Sequence, residues 1–381
     1  MISICDNSQC TGCALCENVC PKKAIKMIYN KEGFIYPNID NEECIDCGIC
    51  KRKCPVNNSL DYNFPVYAYK GKSLNDDLLY DSTSGAIFSE LAEEIFQDKG
   101  VVVGAFLDEC YLVKHVFIER SSDLYKIRGS KYIGSNLSGV YINIKKRLEN
   151  NQRVLFSGTP CQIAALNSYI DDELKKLLVT VDFICHGVGS QIIFEKFIHQ
   201  CEEKYNSRIT NIKFRSKIHG YLHSSMMISF DNGKKFIKPS YKNGFGYPFS
   251  CGMINRLSCS NCKYACLGRQ SDITLSDCIN NLSKSEKKKG CSYVLVNSPK
   301  GKMLLQKCNL DLIEISIETV AKAQMHLNSP QRAHKNRNSI MNDIDKSYNH
   351  LYKLYLKPPK KNILKALKER FKYAKSQWFK S

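Results

Sequence analysis

Hydrophobic and polar positions change rhythm twice along the 381-residue chain. Through residue 60 the apolar positions come in short groups broken by cysteines. One stretch there, AIKMIYNKEGFIYPNID, sets a Lys31-Glu32-Gly33 turn between β-formers and predicts a hairpin. From Phe64 onward strand-like runs alternate with helical periodicity. VYAYKGK, GVVVGAFLD, RVLFSG and LLVTVDFICHG read as strands, the second and fourth of the buried type. AIFSELAEEIF, YINIKKRLENN and CQIAALNSYI read as helices, with Ser82, Thr83 and Ser84 as candidate N-caps of the first. A further helix, IIFEKFIHQCEEKY, precedes the β-like stretches IKFRSK and HSSMMISFDNGKKF, where Asp231-Asn232-Gly233 marks a hairpin turn. Alternation of this kind predicts an α+β (mixed α/β) fold.

The cysteines divide the first segment in a second way. Cys10, Cys13, Cys16 and Cys20 precede Pro21, and Cys44, Cys47, Cys50 and Cys54 precede Pro55. Both sets read C-x-x-C-x-x-C-x-x-x-C-P, the bacterial ferredoxin run. Short spacing lets three thiolates wrap one face of an iron–sulfur cube, and the fourth, past a longer gap, points to the other cube. One cluster is thus expected on Cys10, Cys13, Cys16 and Cys54, the other on Cys44, Cys47, Cys50 and Cys20. Zinc prefers two separated C-x2-4-C pairs, which overlapping runs of four fit badly. The segment resembles a two-[4Fe–4S] ferredoxin domain over residues 1–60, and Cys5, outside the pattern, reads as a spare thiol.

Composition narrows the setting. The chain has 20 cysteines, no apolar run near the ~18 residues of a membrane span, and no secretory leader pattern at its start. Cysteine-rich chains without those signals are expected in a reducing, cytoplasmic compartment, where cysteine clusters bind metal. The formal charge is +19, but residues 331–381 hold 14 Lys and Arg against 3 Asp and Glu. This is a basic tail on a milder body, so no nucleic-acid-binding surface is expected.

Three turns are rich in small residues: DSTSGA (81–86), RGSKYIGS (128–135) and FSGTPCQ (156–162). Backbone amides at such turns favour anions, and a dinucleotide pyrophosphate would fit, although Ser/Thr-Gly before a helix is often only a cap. A third cysteine group follows. Cys161 begins a helix, Cys185 ends a strand, and Cys259 and Cys262 form a C-x-x-C pair with Cys266 close behind. Strand ends are where sites form in open α/β sheets. Taken singly, Cys161 and Cys185 also read as ordinary buried thiols.

FSGTPCQIAAL, FICHGVGS, NRLSCSNCKYACLGRQSDITLSD, DSTSGA and GSKYIGS together resemble the beta subunit of coenzyme F-420 hydrogenase/dehydrogenase, over residues 64–320. The resemblance implies a flavin-binding α/β domain with FAD and a third [4Fe–4S] cluster. By motif position Cys161, Cys185, Cys259 and Cys262 would hold the cluster, with Cys266 as a substitute. Thr83, Ser84, Gly85, Lys131, Tyr132, Gly158 and Thr159 would line the flavin. Ala86, Leu257 and the segment after Asp277 depart from the family pattern, which bears on the substrate pocket more than on the cluster. Members in surface-polysaccharide pathways and pigment reduction widen the substrate class beyond that coenzyme.

The function implied is an iron–sulfur flavoprotein oxidoreductase. It would pass electrons between the clusters, FAD and a small-molecule substrate, with a carrier protein such as a ferredoxin as partner. The alternative is an electron-transfer subunit that feeds a partner oxidoreductase. No catalytic residue is assigned; His186, His219 and His223 are candidate proton donors. Lastly, Ile363, Leu364, Leu367, Phe371, Ala374 and Trp378 form an apolar stripe among lysines after Pro358-Pro359. A basic amphipathic helix of this kind is a candidate peripheral contact with the inner face of a membrane.

Overall fold

A computed structural model describes residues 3–58 and 61–359. The amphipathic helix expected over 363–378 lies outside the described residues.

In the N-terminal part, strands β1 (Ile25–Tyr29) and β2 (Ile35–Ile39) pair antiparallel around the expected turn. Short helices α1 (Leu15–Asn18) and α2 (Ile49–Lys53) each carry the middle of a cysteine run. Each starts after a left-handed residue, Ala14 or Gly48, which turns the chain sharply between successive cysteines. Ile4, Cys16, Ile25, Cys50 and Cys54 make a small core of their own.

The body holds β3 (Tyr67–Ser73), β4 (Val101–Leu107), β5 (Val113–Ile118), β6 (Ser135–Asn136), β7 (Val154–Ser157), β8 (Leu178–Phe183), β9 (Ile209–Ser216), β10 (Ser225–Phe230), β11 (Lys235–Pro239), β12 (Ile273–Asp277), β13 (Ser292–Val296) and β14 (Leu310–Ile315). Nine of these form one sheet in the order β14-β3-β13-β12-β8-β7-β4-β5-β6. β4, β7, β8 and β12 run parallel; β5 joins this core antiparallel on one side, followed by β6 parallel to β5, and β13, β3 and β14 pair antiparallel on the other. Side chains alternate across the pleat. Val101, Val103, Val154 and Phe156 therefore pack with α5 (Val140–Glu149) and α6 (Pro160–Tyr169) on one face. Val102, Leu155, Val179 and Val181 pack with α4 (Ile87–Gln97) on the other. Helix α4 begins differently from the sequence expectation. Its N-cap is Ala86, at φ 63° and without a side-chain cap, because Ser84 Oγ is turned away to the carbonyl of Cys291 at 2.6 Å.

The strands β9, β10 and β11 form a separate antiparallel sheet with the expected turn between the last two. With α7 (Gln191–Tyr205) they build a third core. Ile340, Met341, Ile344, Tyr348, Leu351 and Leu356 pack into it, so the stretch the sequence groups with the basic tail is folded onto the body through residue 356. The same core takes Phe34 from the β1–β2 turn. Around it Gln191 N donates to Gly33 O at 3.1 Å, Ser190 Oγ to Glu32 O at 2.6 Å, and Arg337 pairs with Glu32 at 2.7 Å. Among the described residues no helix is long and apolar enough to cross a membrane.

Candidate electron-transfer site

The two cysteine runs interleave in space. Cys10, Cys13, Cys16 and Cys54 line one cavity, ≈ 340 Å³ with its open mouth included, together with Cys5. Cys20, Cys44, Cys47 and Cys50 line another, ≈ 360 Å³ on the same measure. The fourth cysteine of each run thus faces the cavity of the other run, as the spacing argument requires. Among the described residues no three Cys, His, Asp or Glu side chains are gathered tightly enough for a single metal ion. The second cavity is the outer one, with Cys47 and Ile45 exposed. The first faces the body: Tyr141 Oη donates to Cys13 O at 2.9 Å, and Arg256 Nε donates to Cys10 O at 2.7 Å.

The third group assembles where the parallel strands end. β7, β8 and β12 finish on the same sheet edge. Cys161 sits in the first turn of α6, just after β7, and α6 is fixed by Pro160 at its start and a Thr159–Gln162 capping box. Cys185 lies two residues past β8. Bridges of Gly189 to Asn255 and of Arg256 N to Val188 O (2.8 Å) draw the 257–262 turn onto it, which brings in Cys259 and Cys262. Burial raises all four thiols, and repulsion among their thiolates adds to it: Cys161, Cys259 and Cys262 go to about 11, and Cys185 well above its ordinary value. Four part-buried thiols that repel one another when ionised suit a cationic metal centre, which would displace their protons. Gly187 N donates to Cys185 Sγ at 3.4 Å, and the Thr159 hydroxyl lies 3.1 Å from Cys161 Sγ. Such contacts orient thiolates and tune a cluster. Cys266 turns instead toward the carbonyls of Lys263 and Gly268, at 3.5 and 3.2 Å.

The expected flavin residues meet on this edge as well. Thr83 Oγ1 lies opposite Gly129, joining the first two small-residue turns. Lys217, which nothing in the sequence pattern marks, holds the first turn by donating to Leu79 O and Ser84 O, both at 2.6 Å. Gly85 is required for close approach, because a Cβ there would stand 2.5 Å from Gly71 O. Lys131 is part-buried, donates to Arg128 O at 2.9 Å, and is lowered to about 7 by desolvation. Tyr132 stacks on Phe249 and lies beside Arg215, which pairs with Asp277 at 2.6 Å. Gly158 and Thr159 lead into Cys161 itself. His115 links the second and third turns: its Nε2–H donates to Ser157 O (2.9 Å), so Nδ1 accepts from Ser135 Oγ (2.7 Å). Burial lowers His115 to about 4, and it stays neutral.

Thr83 Oγ1 and Arg128 Nε are buried without a hydrogen-bond partner among the described residues. Orphaned donors beside a part-buried lysine fit an anionic group such as a flavin pyrophosphate. His186 follows Cys185 and packs edge-on against His326 at 4.4 Å between ring centres, with its own side chain exposed. His219 and His223 are exposed.

Two ferredoxin-type cysteine frames docked on an α/β sheet edge define an iron–sulfur electron-transfer protein. Residues 9–58 match the family described as 4Fe-4S dicluster domain, and residues 151–321 match the C terminus of the beta subunit of coenzyme F420 hydrogenase/dehydrogenase. Residues 151–321 are therefore similar to the C-terminal part of those beta subunits, and the dicluster match lies N-terminal to them. Among solved structures it is similar to a chain of the xenon-derivatised F420-reducing [NiFe] hydrogenase complex from Methanosarcina barkeri. The identity is 15%, the TM-score 0.48, and the match covers 74% of this chain and 93% of that one. No curated protein matches the chain.

Proposed function

We propose that the chain is an iron–sulfur flavoprotein oxidoreductase with three [4Fe–4S] clusters and one FAD. Clusters pass single electrons, and a flavin takes one or two, so together they connect a one-electron carrier to two-electron chemistry on a small molecule. The observation that carries the reading is the junction of the first cavity with the third group. The Thr11 side chain lies beside both Cys13 and Cys161, one from each. Tyr264 is wedged beside the same two thiols. That contact supports an order of sites: the exposed second cavity as the docking point for a carrier protein, then the first cavity, the third group, and the flavin turns.

The chain's own groups supply the rest. Lys131 and Arg128 offer positive charge to the pyrophosphate, and Thr83 offers a hydroxyl. Protein purified without oxygen should contain about twelve irons and one FAD per chain. Iron near eight with flavin retained would remove the third cluster, and zinc in place of iron would remove the whole reading. Reduction of a small acceptor by the isolated chain decides for an enzyme; reduction only when a partner oxidoreductase is added decides for an electron-transfer subunit.

A further inference from the structure

Cys5 lies outside both ferredoxin runs, yet it lines the first cavity beside Cys10, Cys13, Cys16 and Cys54. Its thiol lies beside two of those sulfurs, Cys10 and Cys54, in the same cavity wall. The segment that carries it is held firmly. Ile4 is 6% exposed and belongs to the domain core, and its carbonyl accepts from Asn57 Nδ2 at 2.8 Å. Asn57 Nδ2 also donates to Lys51 O at 2.9 Å, and Asn57 N to Cys54 O at 3.0 Å. Residues 4 and 5 are therefore fastened to the same turn that presents Cys54. Five thiols face a space for which a cube needs four.

We propose that Cys5 is a reserve ligand of the first cluster, able to take the iron corner otherwise held by Cys54. The inference rests on the cluster reading above. Exchange is redox-neutral: the Cys5 thiol gives up its proton as its sulfur bonds iron, and the released Cys54 thiolate takes up a proton as its own bond to iron breaks. Cys54 is the natural partner in exchange. It reaches this cavity from the far run alone, whereas Cys10, Cys13 and Cys16 come together on one short segment. The site would keep its cube when the connection to the distant run is strained or its thiolate is lost.

The test compares Cys54→Ala, Cys5→Ala and the double variant in the full chain, all purified without oxygen. Iron per chain and the electron paramagnetic resonance of the reduced protein are measured. Each single variant should keep the wild-type iron content, with an altered first-cluster signal in Cys54→Ala. The double variant should lose about four irons. Loss of the first cluster from Cys54→Ala to the same extent as from the double variant overturns the proposal, as does full retention in the double variant. The second-cluster signal reports that the domain has folded. Should Cys54→Ala lose it, Cys54→Ser with and without Cys5 serves the same comparison. Wild-type protein lacking the first cluster would instead overturn the cluster reading itself, and is distinguished by its iron content before any variant is made.

Discussion

Arg256 donates from Nε to the carbonyl of Cys10 at 2.7 Å, joining residues 246 positions apart in sequence. The guanidinium is 3% exposed, also donates from Nη1 to Ile35 O at 2.8 Å, and stacks on Tyr36 at 3.9 Å. Its charge favours the thiolate forms of Cys10 on one side and of Cys161 and Cys259 on the other. One buried cation therefore stands between the first cavity and the third group, with Nη2 unpartnered among the described residues.

A buried positive charge favours the reduced, more negative form of a cluster. Arg256→Gln should therefore lower the potentials of the first and third clusters and leave the outer one unchanged. The drop should be on the order of 60 mV, the one-electron equivalent of a tenfold change. Arg256→Lys should recover part of it. Redox titration followed by electron paramagnetic resonance reads this directly, and equal shifts in all three clusters would contradict it.

Cys20 closes the first run in sequence but faces the second cavity. Cys20→Ala should cost the outer cluster and spare the inner one, while Cys161→Ala or Cys259→Ala should cost only the body cluster. Loss of the inner cluster from Cys20→Ala would refute the interleaved assignment.

Lys131, lowered to about 7, is largely neutral above that pH when no anion is bound. An anion binds the protonated form, so binding takes up a proton, and affinity for FAD should weaken as pH rises from about 7. Lys131→Met should bind FAD more weakly and lose that slope. Calorimetry in two buffers of different ionisation enthalpy at pH 8 should reveal proton uptake in the wild type alone. The sign for stability agrees. Burial lowers this lysine, so the flavin-free fold gains stability as pH climbs from about 7 toward the ordinary lysine value, because the unfolded chain binds more protons there.

Gly187 has φ +104°, and a Cβ there would stand 2.8 Å from Asn255 Nδ2 and 3.3 Å from the Cβ of Cys259. Gly187→Ala should destabilise the fold by roughly 1–3 kcal/mol and displace the amide that faces Cys185 Sγ. Thermal unfolding and the body-cluster spectrum should change together, with the ferredoxin-type signals preserved.

The strands around Val102, Leu155 and Val179 and the helices between them were legible, because the strands are continuous apolar runs buried on both faces and the helices bury a three-to-four-spaced face. Cysteine spacing made the interleaving legible, since it fixes which thiols share a short segment. Strands β12, β13 and β14 are five or six residues long amid polar loops, and they acquire their meaning only by pairing across the sheet. Arg256, Lys217, Arg215 and His115 were equally hidden. Each is a single polar residue whose partners lie far away in sequence, so no spacing announces it. Cys5 shows the reverse limit: a thiol outside a motif can still sit inside the site the motif builds.

The tip of the β1–β2 hairpin, where Phe34 enters the body core and Glu32 meets Arg337, bears on how the two halves could be separated or exchanged. The ferredoxin-type half is no interchangeable cartridge. Grafted onto another flavoprotein it would carry an uncovered phenylalanine and an unneutralised Glu32, and the body left behind would have a hole where Phe34 had been and a buried Arg337 without its carboxylate. Recombination between relatives should therefore transfer the halves together, and a protease cut between them should leave two fragments that stay joined.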